Sequence, residues 1–177
     1  MHEPSGRGGF DAASSRDESD ALDFKRGFDP KKTSEWCELI KDMVAMTNSG
    51  GGQIVIGIDD DGARSGEDVS DFLKVDPADF TNKINKYTAQ QFADFRIDKI
   101  DVGGGSIAVM TIGGVRFPIV FSAPGEYEIT MGKSKSAFAK GTIYFRHGAK
   151  SEPGTSDDLR NALEREMARV KDFWLAE

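Results

Sequence analysis

The chain has 177 residues, of which 38% are hydrophobic and 12 are phenylalanine, so it is long enough and apolar enough to bury a sizeable core. Its formal net charge of −7 argues against indiscriminate coating of nucleic acid. No apolar run approaches the roughly 20 residues of a membrane span, the N-terminus lacks a signal-peptide core, and a single cysteine excludes an internal disulfide, so we expect a cytoplasmic protein.

The N-terminal third predicts a tail, a strand and a helix. Residues 1–17 are rich in glycine, serine and charge, so we expect a disordered tail followed by a single domain over residues 18–177. Alternating polarity in ALDFKR, residues 21–26, predicts a first strand. One buried helical stripe is then predicted by the spacing of Trp36, Leu39, Ile40, Met43 and Val44.

Three glycines follow this helix and precede a strongly apolar segment. Gln53–Asp59 is almost continuously apolar and β-branched, which predicts a strand buried on both faces. A nucleotide-binding glycine loop follows a strand and opens a helix, whereas Gly50–Gly52 lie in the reverse order. The glycines therefore predict a tight helix-to-strand connection, and dinucleotide binding is disfavoured.

The rest of the chain predicts one further helix, several strands and a final helix. Asp76-Pro77 opens the second helix, and a glycine-linked hairpin is expected over residues 95–112. An edge strand at residues 119–121, a strand at 142–146 and a loop at 147–155 should follow. The last helix should begin at a capping box of Thr155 and Asp158 and bury Leu159, Leu163, Met167, Val170 and Trp174. The order β-α-β-α-β-β-β-β-α predicts an α+β domain with a mixed sheet built on the αβ unit.

Positive charge is concentrated in residues 131–150. This window contains no acid and has a charge of +5, so the remainder of the chain totals −12. A local basic patch on an acidic body is where polyanions bind, although a solvated surface loop accounts for the same pattern. The basic residues of the window are Lys133, Lys135, Lys140, Arg146 and Lys150.

Acidic residues border the first two predicted strands. Glu18, Asp20 and Asp23 flank the first strand, and Asp59 to Asp61 end the second. If the strands are neighbours, convergent carboxylates would suit Mg²⁺ or Mn²⁺, although such acids more often form turns or solvate a tail. Zinc is disfavoured because the chain has no cysteine pair and no second histidine outside the tail.

Three stretches together resemble the Schlafen AlbA_2 domain family: LDFKR, the segment Ala45–Gly62, and GTIYFRHGAKSEPGTSDDL at Gly141–Leu159. The resemblance implies a nucleic-acid-binding domain with an AlbA/Schlafen-like fold. In some Schlafen proteins a pair of such domains forms a basic valley that cleaves transfer and ribosomal RNA. Carried over by position, the catalytic, metal-binding acids of those proteins correspond to Glu18, Asp23 and Asp59, with aspartate at 23 in place of glutamate. A single copy would need a homodimer or a partner protein to form a valley.

Three hypotheses follow. In the first, the chain binds the phosphate backbone of RNA or DNA through Lys25, Arg26, Lys133, Lys135, Lys140, Arg146 and Lys150. In the second, it is a Mg²⁺- or Mn²⁺-dependent endoribonuclease that acts on structured RNA such as transfer RNA. In the third, it is a non-catalytic protein-interaction or regulatory subunit.

Overall fold

A computed structural model describes residues 19–176 and confirms the α+β class. Predictions for the tail and for Glu18 therefore lie outside the described residues. The strands and helices, in chain order, are β1 (Leu22–Lys25), α1 (Thr33–Asn48), β2 (Gly51–Ile56), α2 (Ser70–Leu73), α3 (Pro77–Thr88), β3 (Phe95–Val102), β4 (Gly105–Gly113), β5 (Gly125–Thr130), β6 (Lys133–Phe138), β7 (Tyr144–His147), β8 (Lys150–Pro153) and α4 (Ser156–Leu175).

A four-stranded mixed sheet in the order β1-β2-β4-β3 is the main scaffold. β1 and β2 are parallel neighbours, and β2 pairs antiparallel with β4. Ile54 and Ile56 belong to the large core on one face, whereas Val55 belongs to a second core on the other face. The prediction of a central strand buried on both faces is confirmed, with β2 ending at Ile56 rather than at Asp59.

Helix α1 lies between the sheet and two β-hairpins. Every residue from Asp42 to Asn48 is buried, including three polar ones, so burial extends well beyond the predicted stripe. The helix contacts β2 and β4 of the sheet and also contacts β5, β6, β7 and β8. We call the β5–β6 and β7–β8 hairpins together the hairpin layer. A three-layer arrangement therefore surrounds the C-terminal half of α1.

The structure differs from the sequence prediction in five respects. Residues 119–121 form no strand, although Phe121 exchanges backbone hydrogen bonds with Gly141 and Thr142. Much of the stretch from 125 to 138 is the β5–β6 hairpin, the predicted loop at 147–155 contains β8, and α2 was not predicted. β5–β6 and β7–β8 are separate two-stranded sheets, so the described chain has three sheets rather than one.

Helix α4 begins at the predicted capping box, but the prediction that its apolar side chains are buried is wrong. The buried residues of α4 are Ala162 and Glu166. The five side chains predicted to be buried are exposed instead: Leu159, Leu163, Met167, Val170 and Trp174. A helical apolar period fixes which residues share a face, but not which face meets the domain. Within residues 19–176, no helix is both long and apolar enough to cross a membrane.

Candidate functional site

A buried ionic cluster joins the first strand, the central helix and the β7–β8 hairpin. Lys25 Nζ lies 2.5 Å from Asp42 Oδ2 and 3.1 Å from Asp23 Oδ2. One guanidinium nitrogen of Arg146 donates to Asp23 Oδ1 at 2.9 Å and to Ser151 Oγ at 3.2 Å. Ser151 Oγ in turn donates to Asp42 Oδ1 at 2.6 Å. Two acids and two cations thus pair with one another where β1, α1 and the β7–β8 hairpin meet.

The two carboxylates of this cluster differ in their protonation behaviour. Burial raises the pKa of Asp23, and the cations Lys25 and Arg146 only partly oppose this effect. Burial also disfavours ionisation of Asp42, but Lys25 and the Ser151 hydroxyl outweigh it and lower the pKa of Asp42. Lys25 has a raised pKa because both carboxylates outweigh its own desolvation. The cluster therefore keeps Lys25 charged in a poorly solvated site.

This cluster contains three residues that the sequence suggested for other roles. The side chain of Arg146 is only 1% exposed, so its guanidinium holds Asp23 and does not reach solvent. Lys25 is largely buried by the same partners, with 21% of its side chain exposed. Asp23 faces two cations within the chain, which compete with any external metal ion.

Asp59 is placed apart from this cluster. It follows β2 and starts a turn in which Gly62 N donates to Asp59 O at 2.8 Å. Its carboxylate pairs with Arg26 at 3.3 Å. Across residues 19–176 no group of three His, Cys, Asp or Glu side chains is placed to hold a metal ion. Asp23 and Asp59 thus do not form such a site with any described residue, and the triad that includes Glu18 stays a prediction.

The remaining cations of the predicted interface are spread over two regions. Lys133 and Lys150 begin β6 and β8, and Lys140 follows β6, so all three belong to or adjoin the hairpin layer. These three lysines are exposed, and no ion pair is formed by any of them within the described chain. Lys135 lies on β6 as well, but its Nζ is 3.8 Å from Glu38 Oε1.

Arg26 lies in a different region, a cleft of about 560 Å³ beside the start of α1. Its guanidinium contacts Asp59 and Glu67 at 3.3 and 3.4 Å. The lining of the cleft mixes both signs of charge, with Lys25, Arg26 and Lys32 facing Asp29, Glu35, Glu67 and Asp68. A polyanion in this cleft would meet these four acids, and the guanidinium of Arg26 is already paired with Asp59 and Glu67.

Asn48, the last residue of α1, has a structural role that was not predicted. Its side-chain amide donates to the carbonyls of Ile119 and Tyr144, and its Oδ1 accepts from Ile119 N at 2.7 Å. It therefore fixes the segment before β5 and the start of β7 onto the end of α1. An asparagine two residues before a glycine run marks the end of a helix, but its distant backbone partners could not be predicted from the sequence.

Comparisons with known proteins identify the family and the fold. A family model, Schlafen, AlbA_2, matches residues 18–155, so the chain belongs to the Schlafen AlbA_2 family. The fold is similar to the crystal structure of the DIP2311 protein from Corynebacterium diphtheriae, with a TM-score of 0.55 and 15% identity. That match covers 88% of this chain and 27% of the other. A comparison with curated protein sequences found no match.

Proposed function

We propose that this chain is a cytoplasmic nucleic-acid-binding module that contacts the phosphate backbone of RNA or DNA through its hairpin layer. The observation that supports the proposal is the set of three exposed lysines, Lys133, Lys140 and Lys150, which no described acid neutralises. They belong to a chain of the Schlafen AlbA_2 family, for which a nucleic-acid-related role is expected. Lysines without intramolecular partners can release counterions from a phosphate chain without first breaking an ion pair.

The composition of the molecule limits how this binding works. With a net charge of −7, the protein as a whole repels a polyanion, so attraction must be local. At an ionic strength of about 0.15 M, charges beyond roughly 8 Å are largely screened, which leaves the nearby lysines as the main attraction. Binding should accordingly be weak, strongly dependent on salt, and tolerant of sequence.

A triple substitution, Lys133→Ala, Lys140→Ala and Lys150→Ala, tests the proposal. Fluorescence anisotropy with labelled single- and double-stranded RNA and DNA, started at about 50 mM salt, measures the dissociation constant. We expect the triple variant to bind at least about tenfold more weakly. The slope of log affinity against log salt concentration should become shallower by about 2 to 3, since each phosphate contact contributes roughly 0.7 to 0.9 to the magnitude of this slope.

The control is a second triple variant with the same change in net charge. Lys74→Ala, Lys86→Ala and Lys99→Ala remove three cations outside the hairpin layer: one directly after α2, one in α3 and one in β3. This variant should bind within about threefold of the wild type, because distant charges are screened. The proposal fails if no nucleic acid binds at low salt, or if both triple variants lose affinity equally.

The endoribonuclease hypothesis receives less support from the described residues. Asp23 is held by Arg146 and Lys25, whereas Asp59 pairs with Arg26, so the two carboxylates serve separate ion pairs. Mg²⁺ and Mn²⁺ prefer several convergent oxygen ligands, which this arrangement does not supply without a contribution from Glu18. Running the binding reactions with and without Mn²⁺ on a denaturing gel shows whether the bound RNA is also cut.

A further inference from the structure

The outer face of helix α4 carries an apolar stripe that the rest of the described chain leaves uncovered. Leu163, Met167, Val170 and Trp174 follow one another at spacings of four, three and four residues. All four are exposed, Met167 at 62% and Trp174 at 67%. Leu159 and Phe173 flank them and are exposed as well. We call these six residues the outer stripe.

Polar contacts hold α4 against the domain and leave this stripe outside. Arg116 donates to Glu166 Oε1 at 2.8 Å and thereby joins α4 to the domain, whereas Arg169 donates to the same carboxylate at 2.9 Å from within the helix. Arg165 donates to the carbonyl of Asn48 at 2.6 Å, and His147 bonds to Asp158 at the start of the helix. Because the inner face is fixed by these contacts, the helix cannot bury the outer stripe by rolling without breaking them.

The size of the stripe matches one side of a stable interface. Taking roughly 150–250 Å² for a fully exposed large side chain, the exposed fractions of the six residues correspond to roughly 500–800 Å² of surface. Contiguous apolar patches on monomers seldom exceed about 300–600 Å², whereas a standard interface buries about 800 Å² per partner. The first 18 residues of the chain contain Phe10 as their only aromatic or branched aliphatic side chain, so they do not supply a matching surface.

The spacing and the charges around the stripe identify its partner as the same helix. The four-three-four spacing is the a/d repeat of a coiled coil, which packs against a helix with the same repeat. At the flanking e positions lie Glu164 and Lys171, which have opposite charge. In an antiparallel pair about the middle of the stripe, Glu164 lies beside Lys171 of the partner subunit, and this contact occurs twice.

A parallel pair would be less well matched. Lys171 would then face Glu166 of the partner subunit, and that carboxylate is already occupied by Arg116 and Arg169. We therefore infer that a second copy of this chain covers the outer stripe through an antiparallel α4–α4 pair. This interaction surface is separate from the hairpin-layer lysines, so the failure of either proposal is distinguishable from the failure of the other.

Sedimentation equilibrium of the full chain over a range of concentrations tests the pairing. We expect a dimer with a dissociation constant in the micromolar range or below, and Met167→Glu should weaken it at least about a hundredfold. Ala168→Glu adds the same charge to the neighbouring exposed position, outside the a/d seam, and should change the dissociation constant by less than about threefold. A wild-type chain that stays monomeric at about 100 µM, or a dimer indifferent to Met167→Glu, overturns the inference.

Charge exchange tests the antiparallel arrangement even if an apolar-to-acid change disturbs the helix. Glu164→Lys and Lys171→Glu should each weaken the dimer about tenfold, because each places like charges together twice. The double variant should return to within about threefold of the wild-type dissociation constant. Two weakened single variants without recovery in the double variant would contradict the antiparallel pair.

Discussion

Arg146 shows how a residue that appears basic and available in the sequence becomes structural in the fold. Its guanidinium binds Asp23, Ser151 and the carbonyl of Ser19, with almost no exposure to solvent. Replacing one member of a buried ion pair leaves the other charge unpaired, which costs far more than losing a surface pair. The residue connects β7 to β1 across the domain.

Arg146→Met should therefore lower the free energy of unfolding by roughly 3–5 kcal/mol in urea titrations. The matched control is Arg96→Met, on a strand and paired with Asp98 at 3.1 Å, but with 65% of its side chain exposed. That variant should lose about 1 kcal/mol or less. Arg146→Lys keeps the positive charge but lacks the planar guanidinium group, so its loss in unfolding free energy should lie between those of the two methionine variants. Equal losses for Arg146→Met and Arg96→Met would show that the cluster does not stabilise the fold.

Nearby residues also show why the candidate site could be predicted only in part. Asp23, Lys25 and Arg146 were predicted to be functional from their charge and from the family resemblance, but their mutual pairing depends on the packing of β7 against α1. Asp42 and Ser151 complete the cluster but were not predicted to belong to it. A polar residue inside an amphipathic helix, such as Asp42, normally faces solvent, and Ser151 lay in a stretch predicted to be a loop. Exposure, which separates Arg146 from Lys133, is a property of the whole fold.

At the scale of elements, the α1–β2 unit was predictable because its local signals agree. Apolar spacing, a glycine stop and a β-branched run all indicate one helix followed by one buried strand. The two hairpins were harder to predict from the sequence. In β6, KSKSAF, only the last two residues are buried, so its four outer residues carry no strand-like apolar alternation. For α4 the predicted apolar period was correct, but the face predicted to be buried was wrong. The inner face of α4 is held by polar contacts, which the apolar pattern does not reveal.

A substitution at Gly52 tests whether β1 and β2 must lie as close together as they do in the structure. A Cβ at Gly52 would lie 2.5 Å from the backbone oxygen of Ala21 and would clash with the sulfur of Met46. Backbone of the neighbouring strand cannot move aside as a flexible side chain can, so we expect Gly52→Ala to cost roughly 3 kcal/mol. A Cβ at Gly27 would meet only the Glu67 side chain, at 3.5 Å.

Urea unfolding of both alanine variants measures this difference. Gly27→Ala should change the unfolding free energy by about 0.5 kcal/mol or less, or stabilise slightly, because alanine restricts the unfolded chain. Neither glycine has a positive φ, so backbone strain does not separate the two substitutions. Similar stabilities for the two variants would mean that β1 moves away from β2 at little cost.

At the scale of the whole molecule, stability depends on pH through groups whose pKa values shift in opposite directions. Arg169 and Arg116 lower the pKa of Glu166 to about 2. Burial opposes ionisation of Asp158, but the Thr155 N–H and His147 outweigh it and lower the pKa of Asp158. Hydrogen bonds to Glu152 and Asp158 raise the pKa of His147.

The signs of these shifts predict a stability maximum in mildly acidic solution. The carboxylates with lowered pKa values stabilise the fold above roughly pH 4, and this contribution is lost as the pH falls through their folded pKa values. His147 contributes fully below about pH 6.5, and its contribution is lost as the pH rises through its raised folded pKa. The free energy of unfolding should therefore be highest between about pH 5 and 6.5.

His147→Gln separates the histidine contribution from that of the carboxylates. Glutamine keeps hydrogen-bonding capacity but cannot carry the charge, so the stability gap between wild type and variant should be larger near pH 5.5 than near pH 8.5. His2→Gln makes the same chemical change in the N-terminal segment that the sequence predicts to be a disordered tail, and it should leave the pH profile unchanged. An equal gap at both pH values would mean that neutral His147 binds Glu152 and Asp158 as strongly as the charged form does. The attachment of α4 to the β7–β8 hairpin would then be independent of pH over this range.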